Sequence, residues 1–566
     1  MFILRPHFRK EAYSLATIPF QISSKKNTSE RAWFASALLI AAIVSLPIIA
    51  VLYLALFPEE NVWPHLVATV LPLYVQNTIV LMLGVGSLSM LIGIGSAWLV
   101  SHYNFPGKRI FNWALLLPFA MPAYVIAYVY TDFLEYAGPV QSALRDLFGW
   151  TNAQQYFFPE VRSMGGAIIL MSLTLYPYIY MLARAAFLQQ SVSLYYAARS
   201  LGSSPLAFFF RVSLPMARPA VAVGLSLVLM ETLNDFGTVD YFAIQTLTAG
   251  LYDTWLNMSN LGGAAQIATV MMLAVTLLIY LEQRSRQQQK TFTGKSSGSS
   301  QPIEALKGAR AYLAVGIASV PVIFGFLIPV IILTKYAVQY FDVSWTSRFL
   351  GYAVNSFTLS ASAAFITVVI GCVLAYAKRL QRKRSMNALT RISSLGYAIP
   401  GAVLAIGVII PLAAFDNWLD GIAREVFGIS TGLLLSGSII AILFAYTVRF
   451  LAVSAGAIES SLDKVTPSMD MASRSLGVGT LQTFMRIHLP MIRAGALTAM
   501  LVVFVDCMKE LPATLILRPF NFETLATHVY QFASDELLEQ CALSALVIVI
   551  VGIIPVILLN RSINRS

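Results

Sequence analysis

Long apolar runs separated by short polar connections dominate the chain. Twelve of these runs reach the length of about 20 residues that a bilayer-crossing helix needs. They are too long, and alternate too little, for the strands of an outer-membrane barrel, which have about 10 residues each. The pattern predicts an all-α integral membrane protein with about 12 transmembrane helices, at 33–57, 77–101, 111–133, 164–188, 217–240, 263–282, 309–334, 355–377, 389–414, 431–458, 492–516 and 540–560.

Composition supports a membrane protein. Of 566 residues, 57% are apolar and only 11% are charged, whereas a soluble domain has about 25% charged residues. The mean hydropathy is +0.72, so membrane lipid is the predicted surrounding. The net charge of +11 indicates basic cytoplasmic loops rather than nucleic-acid binding.

Basic residues also predict the orientation. Six Lys and Arg residues lie within the first 31 residues, and six more lie within 378–391. The loop at 58–76 has none, and it carries Glu59 and Glu60. Because basic loops face the cytoplasm, we expect both termini to be cytoplasmic.

A polar stretch divides the chain. Residues 283–308 are rich in Gln, Ser, Lys and Gly, a composition typical of a flexible cytoplasmic linker. We therefore predict a tail at 1–32, a first repeat at 33–282 and a second at 309–566. Gly294-Lys295-Ser296 looks like the end of a phosphate loop, but Gln289 stands where its first Gly is required. We predict no nucleotide-binding domain and no cofactor in this chain.

The two halves resemble each other in sequence. Residues 197–218 and 472–493 are identical at twelve of 22 positions, at an offset of 275. Asn77, Gly93 and Pro122 match Asn355, Gly371 and Pro400 at an offset of 278, and each proline is expected to kink its span. The chain is thus predicted to be a tandem duplication of a six-span unit. Six is even, so the copies share one orientation.

The strongest match lies in a predicted cytoplasmic loop after the fourth span of each half. Two interpretations of this loop are open: a short amphipathic helix that docks a soluble partner, or simply an ordered loop. Its occurrence in both halves favours docking. The segment resembles the EAA loop of binding-protein-dependent ABC-importer permeases. The matching residues are Ala197, Ala198, Gly202, Leu214 and Pro215, and then Ala472, Gly477, Leu489 and Pro490. Tyr196 and Met471 hold the motif's Glu position, and Asp470 lies one residue early.

This resemblance implies two tandem six-helix type I ABC permease repeats. It also implies a cytoplasmic ABC ATPase dimer that carries ATP and Mg, and a periplasmic substrate-binding protein. The chain itself would be no enzyme. Residues 509–514 (KELPAT) and 518–522 (RPFNF) are similar to those of fused ferric iron permeases, so the resemblance favours ferric iron. Permeases for thiamine, sulfate, molybdate, polyamines or phosphonates share the loop and stay as alternatives.

Four carboxylates lie inside predicted spans, where each ionisable group costs about 2.5–3.5 kcal/mol. Glu231 and Asp235 match Asp506 and Glu510 at the offset of 275. The i, i+4 spacing is expected to place each pair on one helical face. One interpretation is that they line a pathway for a hard cation, which prefers oxygen ligands. The other is structural pairing near the outer surface, since Lys509 lies three residues after Asp506 and since Gly237 and Pro512 suggest that each helix breaks there.

Two other classes of protein fit the sequence less well. An ion-driven secondary transporter with parallel six-span repeats has no need of two matched docking loops. A membrane enzyme needs a catalytic constellation, and the sequence offers no nucleophile–base pair and no metal-ligand spacing among its three cysteines. An importer permease remains the favoured interpretation.

Overall fold

Eleven helices in the described part of the chain are long and apolar enough to cross a membrane. The computed structural model describes residues 25–287, 304–381 and 383–563. A pair of helical segments, Lys108–Ala120 and Ala123–Phe148, meets at an angle of 90° and brings the number to twelve if the pair is counted as one bent span. The predicted multi-pass all-α fold is confirmed. Most of the proposed linker, including Gly294-Lys295-Ser296, lies outside the described residues, as do residues 1–24.

The first half, up to Gln287, contains thirteen α-helices in its described residues. They are α1 (Lys25–Leu56), α2 (Trp63–Ala68), α3 (Leu71–His102), α4 (Lys108–Ala114), α5 (Ala123–Leu134), α6 (Pro139–Phe148), α7 (Met164–Leu188), α8 (Val192–Ser200), α9 (Pro205–Phe208), α10 (Leu214–Asn234), α11 (Gly237–Tyr241), α12 (Leu247–Tyr252) and α13 (Leu261–Gln287).

The second half, described from Glu304 with a gap at residue 382, contains another thirteen. They are α14 (Ala309–Val322), α15 (Ile328–Gln339), α16 (Phe341–Ser344), α17 (Ser347–Leu380), α18 (Arg384–Ser393), α19 (Gly401–Phe427), α20 (Ile439–Leu462), α21 (Pro467–Ser475), α22 (Thr480–Thr483), α23 (Leu489–Met508), α24 (Pro512–Leu517), α25 (Leu525–Ser534) and α26 (Leu538–Ile563). Two short strands, β1 (Tyr103–Asn104) and β2 (Glu304–Ala305), pair in parallel between the halves.

Equivalent residues of the two halves form equivalent hydrogen bonds. The side-chain amide of Asn77 donates to the carbonyl of Gln245 over 2.9 Å, and Asn355 donates to Glu523 over 3.0 Å. In the same way, the Thr78 hydroxyl accepts from the N–H of Leu247, and the Ser356 hydroxyl accepts from Leu525. All these partners match at the offset of 278. Equivalent polar residues therefore tie equivalent helices together in both halves.

The halves are interlocked rather than placed side by side. Helix α1 of the first half packs along α17, α18 and α19 of the second, while α15 packs on α5 of the first half and on α26. The apolar cores are mixed accordingly, because Val44 and Val51 of α1 lie in a cluster formed mainly by the second half. The first span of each copy thus covers the other copy.

Four helices are interrupted within the bundle. In two of them the sequence predicted kinks at Pro122 and Pro400, and in the other two Gly237 and Pro512 suggested breaks. Two interruptions precede Pro122 and Pro400, and each proline is the cap residue before a new helix. The other two follow α10 and α23, which end at Asn234 and Met508. The predicted spans 217–240 and 492–516 are therefore wrong at their C-terminal ends, and 389–414 is wrong at its start. The predicted span 111–133 is wrong as a single helix, because it is broken before Pro122. Irregular backbone at membrane depth is tolerated only where it is buried in protein or lines a cavity.

Candidate functional site

The four helix interruptions surround one cavity of about 110 Å³ between the two halves. Its walls include Pro122, Asn234, Gly237 and Pro512 from the interrupted segments. Aromatic side chains from both halves complete the walls, among them Phe119 and Tyr397. These two occupy equivalent positions at the offset of 278, so the cavity lies where matching parts of the two copies meet.

All four predicted carboxylates line this cavity: Glu231, Asp235, Asp506 and Glu510. The four carboxylates lie together, as the duplication predicted. The prediction that each i, i+4 pair shares one helical face is wrong. Asp235 lies just beyond α10 with ψ of 126°, and Glu510 lies beyond the end of α23. In each half, therefore, one carboxylate is on the long helix and one is in the break that follows it.

The two carboxylates in the breaks cap the short helices that follow. Asp235 Oδ1 accepts from the N–H groups of Thr238 and Val239, at 2.9 and 3.3 Å. Glu510 Oε1 accepts from the N–H of Ala513 at 3.1 Å. A carboxylate at a helix N-terminus satisfies donors that have no partner within the helix. Each break is thus stabilised by a carboxylate that lies within it.

Arg449 of α20 also lines this cavity, and the sequence did not predict it as a site residue. Its Nε lies 3.6 Å from Glu510 Oε2, and both side chains are 6% exposed. Its Nη1 donates to Oδ1 of Asn234 over 3.1 Å, and the same oxygen accepts from the N–H of Gly401 over 2.6 Å. A Cβ on Gly401 would lie 2.6 Å from side-chain atoms of both Arg449 and Glu510, so a larger residue there would displace one or both of these side chains. The position of Arg449 inside the predicted span 431–458 was a usable signal, because a cation within a membrane span costs free energy and so needs a partner or a function.

Lys509 provides the second positive charge. Its Nζ lies 3.0 Å from Asp506 Oδ1, so the predicted i, i+3 pair is confirmed. The ammonium also lies 4.4 Å from the centre of the Phe119 ring, a cation–π contact with the other half. Within the described residues, no group of three or more His, Cys, Asp or Glu side chains has the geometry to hold a metal ion.

The two repeated loops, 192–213 and 467–488, fold alike. Each has a short helix, α8 or α21, that contains the predicted Ala197, Ala198 or Ala472. The chain then turns at Gly202 and Gly477, with φ of +80° and +75°, a conformation that favours glycine. A widened helical turn, Phe209–Ser213 or Phe484–His488, leads into the next span. Leu214-Pro215 and Leu489-Pro490 are the first two residues of α10 and α23, where proline is well tolerated.

Large apolar side chains are exposed on both loops at matching positions. Leu201 and Leu476 are 87% and 80% exposed. The other exposed pairs, all at the offset of 275, are Tyr196 with Met471, Leu206 with Leu481, and Phe210 with Met485. A recurring exposed apolar patch of this kind is typical of an interaction surface.

The loops differ in how they are fastened to the bundle. In the first, Gln190 and Ser213 exchange hydrogen bonds. In the second, Asp470 accepts from Arg379 Nε at 3.0 Å, and its other oxygen lies 2.6 Å from Nε2 of His488. Asp470 is therefore bound within its own chain.

Comparison with known proteins matches both halves to one family. Residues 89–286 and 367–566 each fit the model of the binding-protein-dependent transport system inner membrane component. The chain belongs to this family. It is a fused permease, since one polypeptide carries two copies of the family's domain.

The relatives of this permease include two ferric permeases that match most of its length and a molybdenum permease that matches about a third of it. It is 27% identical to the Fe(3+)-transport system permease protein FbpB 2 of Haemophilus influenzae, over 86% of this chain and 89% of that protein. It is 23% identical to the ferric transport system permease protein FbpB of Actinobacillus pleuropneumoniae, over 88% and 73%. The molybdenum transport system permease protein ModB of Escherichia coli is 29% identical over only 36% of this permease.

Proposed function

We propose that this permease is the membrane subunit of an ATP-driven importer for ferric iron in the bacterial inner membrane. The observation that carries the proposal is similarity along nearly the whole chain, through both repeats, to permeases whose names specify ferric transport. A periplasmic binding protein delivers the ion, and a partner ATPase supplies the energy from ATP and Mg. This chain supplies the route and binds no cofactor.

The repeated loops dock the ATPase dimer, one loop for each ATPase subunit. Two features support this role: the matched exposed apolar side chains, and the left-handed turns at Gly202 and Gly477 that fix the loop shape. Both loops lie on the cytoplasmic side in this proposal, and the charge distribution of the sequence then places both termini there too.

The cavity between the halves is part of the translocation pathway. Its four carboxylates give the cavity negative charge, which suits a cation. The helix breaks around it are points at which the helices can bend during alternating access. Movement of the ATPase subunits rocks the halves about this region. Because the first span of each copy packs on the other copy, the halves stay joined as they move.

Uptake of radiolabelled ferric iron, in iron-limited cells that lack other iron routes, tests the cargo. Loss of uptake on deletion, with restoration by the gene, is the expected result. Unchanged uptake would overturn the assignment of iron but not the permease architecture.

A second candidate is the same machine carrying an oxyanion such as molybdate or sulfate. It is favoured by Arg449 and Lys509, which line the cavity, and by the partial match to ModB. Both cations are already paired with carboxylates, which ranks this candidate below iron. Labelled molybdate in the same uptake assay separates the two.

A further inference from the structure

We propose that Arg162 forms a latch that holds the outer side of the cavity closed until the periplasmic binding protein docks. The latch consists of Arg162, Glu135 and Tyr241 of the first half and Glu536 of the second. Arg162 is a positioning residue, because it acts on a helix that forms a wall of the cavity and does not meet the cargo. This inference rests on the proposed function and concerns the regulation of the same pathway.

The latch lies at the end of the bundle opposite the two docking loops. Arg162 comes shortly before α7, whose other end, Leu188, leads into the first loop at 192–213. Helix α7 has 25 residues, which is long enough to cross the bilayer. Since the loops are cytoplasmic in the proposed function, Arg162 faces the periplasm, from which the binding protein arrives.

One guanidinium group joins the two halves at this end. Its Nε lies 2.7 Å from Oε1 of Glu135, the residue that ends α5. Its Nη2 donates to Oε1 of Glu536, in the turn between α25 and α26, over 3.0 Å. The same Nη2 donates to the hydroxyl of Tyr241 over 3.2 Å, and the guanidinium carbon lies 4.6 Å from the centre of that ring. Two carboxylates and an aromatic ring therefore hold the planar guanidinium in place.

The latch acts on α11, the short helix that follows the break in the first half. Helix α11 begins at Gly237, which lines the cavity, and ends at Tyr241, which contacts Arg162. It spans only five residues, so the residue at the latch and the residue at the cavity belong to one small rigid unit. Movement at Arg162 is therefore transmitted to the cavity wall.

The second half holds α11 at two further points. The hydroxyl of Tyr530 donates to Oδ2 of Asp240 over 2.6 Å. Gly237 lies so close to the second half that a Cβ on it would be 2.9 Å from Cδ2 of Leu511. Separating the halves on the outer side must break the contact of Arg162 with Glu536 and that of Tyr530 with Asp240. Such a separation also opens the cavity beside Gly237.

The fold of the repeat does not require the latch arginine. Ser163 and Ser438 cap the equivalent helices α7 and α20, and they match at the offset of 275. Gly437 therefore stands in the second half where Arg162 stands in the first. Because α20 forms without an arginine at this position, a role for Arg162 in the transport cycle is favoured over a role in folding.

The exposure of the latch suits a contact that must break in every cycle. The side chains of Arg162, Glu135 and Glu536 are 34%, 42% and 71% exposed. Ion pairs with this exposure are individually weak, so a protein that docks on this face can displace Glu536 from the guanidinium. In alternating access the outer side opens as the ATPase subunits close on ATP. Loss of the latch therefore shifts the population toward the state that hydrolyses ATP.

The rate of ATP hydrolysis without the binding protein measures the latch. The full-length permease with its ATPase would be placed in lipid nanodiscs. We expect Arg162→Gln and Glu536→Gln each to raise this rate at least threefold. An unchanged or lower rate in Arg162→Gln would overturn the proposal.

Arg145→Gln is the matched control. Arg145 lies in the same connection between α5 and α7, and its guanidinium carbon lies 4.0 Å from the centre of the Tyr136 ring. Its hydrogen bonds go to Tyr136, Ser142 and Tyr156 of the first half. Its variant should hydrolyse ATP at the wild-type rate, and a rise equal to that of Arg162→Gln would also overturn the latch.

A reversible cross-link tests the latch from the opposite direction. Arg162→Cys with Glu536→Cys would be joined by a short, reducible reagent that links two thiols. The three native cysteines are buried, so the reagent is directed to the introduced pair. We expect cross-linking to lower ferric uptake at least tenfold and a reductant to restore it. The control pair, Arg145→Cys with Tyr136→Cys, joins residues of one half and should keep its uptake.

Undiminished uptake by the cross-linked Arg162→Cys, Glu536→Cys protein would overturn the latch. Recovery of each variant with its ATPase bound shows that it is folded. Failure of the proposed function looks different, because the wild-type complex then accumulates no ferric iron. The hydrolysis measurement needs no iron, so it decides the latch in that case too.

Discussion

Asn234 and Arg449 join the two halves of the permease through a buried hydrogen bond of 3.1 Å. Asn234 ends a helix of the first half, and Arg449 lies within a helix of the second. The same guanidinium pairs with Glu510. One cation thus connects a helix break in each half, beside the proposed pathway.

Replacing Arg449 should therefore destabilise the permease. In Arg449→Met, Glu510 keeps a buried charge without its partner, a change that typically costs about 3–5 kcal/mol. We expect a lower midpoint of thermal unfolding in detergent and loss of transport. Adding Glu510→Gln to this variant removes the orphaned charge, so it should recover much of the unfolding midpoint. A double variant as unstable as the single one would contradict the pairing.

The turns of the two loops are expected to be sensitive to side-chain type. Gly202→Val with Gly477→Val forces β-branched residues into the left-handed conformation, at a cost of about 1–2 kcal/mol at each turn. The protein should still reach the membrane, but ATP hydrolysis should no longer drive uptake. Asparagine tolerates this conformation, so the matched Asn double variant should retain transport. Normal uptake by the Val double variant would contradict the proposal that the loop shape transmits the movement of the ATPase subunits.

The exposed leucines of the loops should contribute to ATPase binding. Burying one leucine side chain contributes about 1.5–3 kcal/mol, so Leu201→Ser and Leu476→Ser should each weaken binding by roughly tenfold or more. Co-purification of the ATPase with tagged permease measures this loss. Phe157→Ser, at a residue that is 91% exposed but lies outside both loops, serves as the control. Equal retention of the ATPase by all three variants would refute docking through these side chains.

The capping role of Asp235 can be separated from a role in cargo binding. Asp235→Asn keeps a side-chain oxygen that accepts from Thr238 and Val239, whereas Asp235→Ala loses it at a cost of about 1 kcal/mol. We expect the Asn variant to transport nearly normally and the Ala variant to show a lower unfolding midpoint. If the Asn variant loses uptake while its unfolding midpoint is unchanged, then the charge of Asp235 itself serves transport.

Periodic and repeated features of the sequence were sufficient to predict much of this structure. The apolar runs predicted the spans, and the offset of 275 predicted that Glu231, Asp235, Asp506 and Glu510 come together, because equivalent residues of a duplicated unit meet at its symmetry axis. The same matching found Gly202 and Gly477.

The remaining features depend on distant parts of the chain. Gly237 and Pro512 suggested the breaks after Asn234 and Met508, but the apolar pattern there is also compatible with a continuous helix. The hydrogen bonds by which Asp235 and Glu510 cap the next helix were visible only in the structure. The packing of α1 on the second half depends on shape at long sequence separation. Arg449 could have been predicted from the sequence, because the free-energy cost of an ionisable group inside a membrane span applies to a cation as well as to a carboxylate.

Transport by a reconstituted complex tests the central claim most directly. The tagged permease would be isolated with its bound ATPase, placed in proteoliposomes and supplied with ferric iron on the binding protein. The account predicts that iron accumulates only with ATP, and that the Gly202→Val, Gly477→Val double variant accumulates none. Accumulation without ATP, driven by an ion gradient alone, would contradict it.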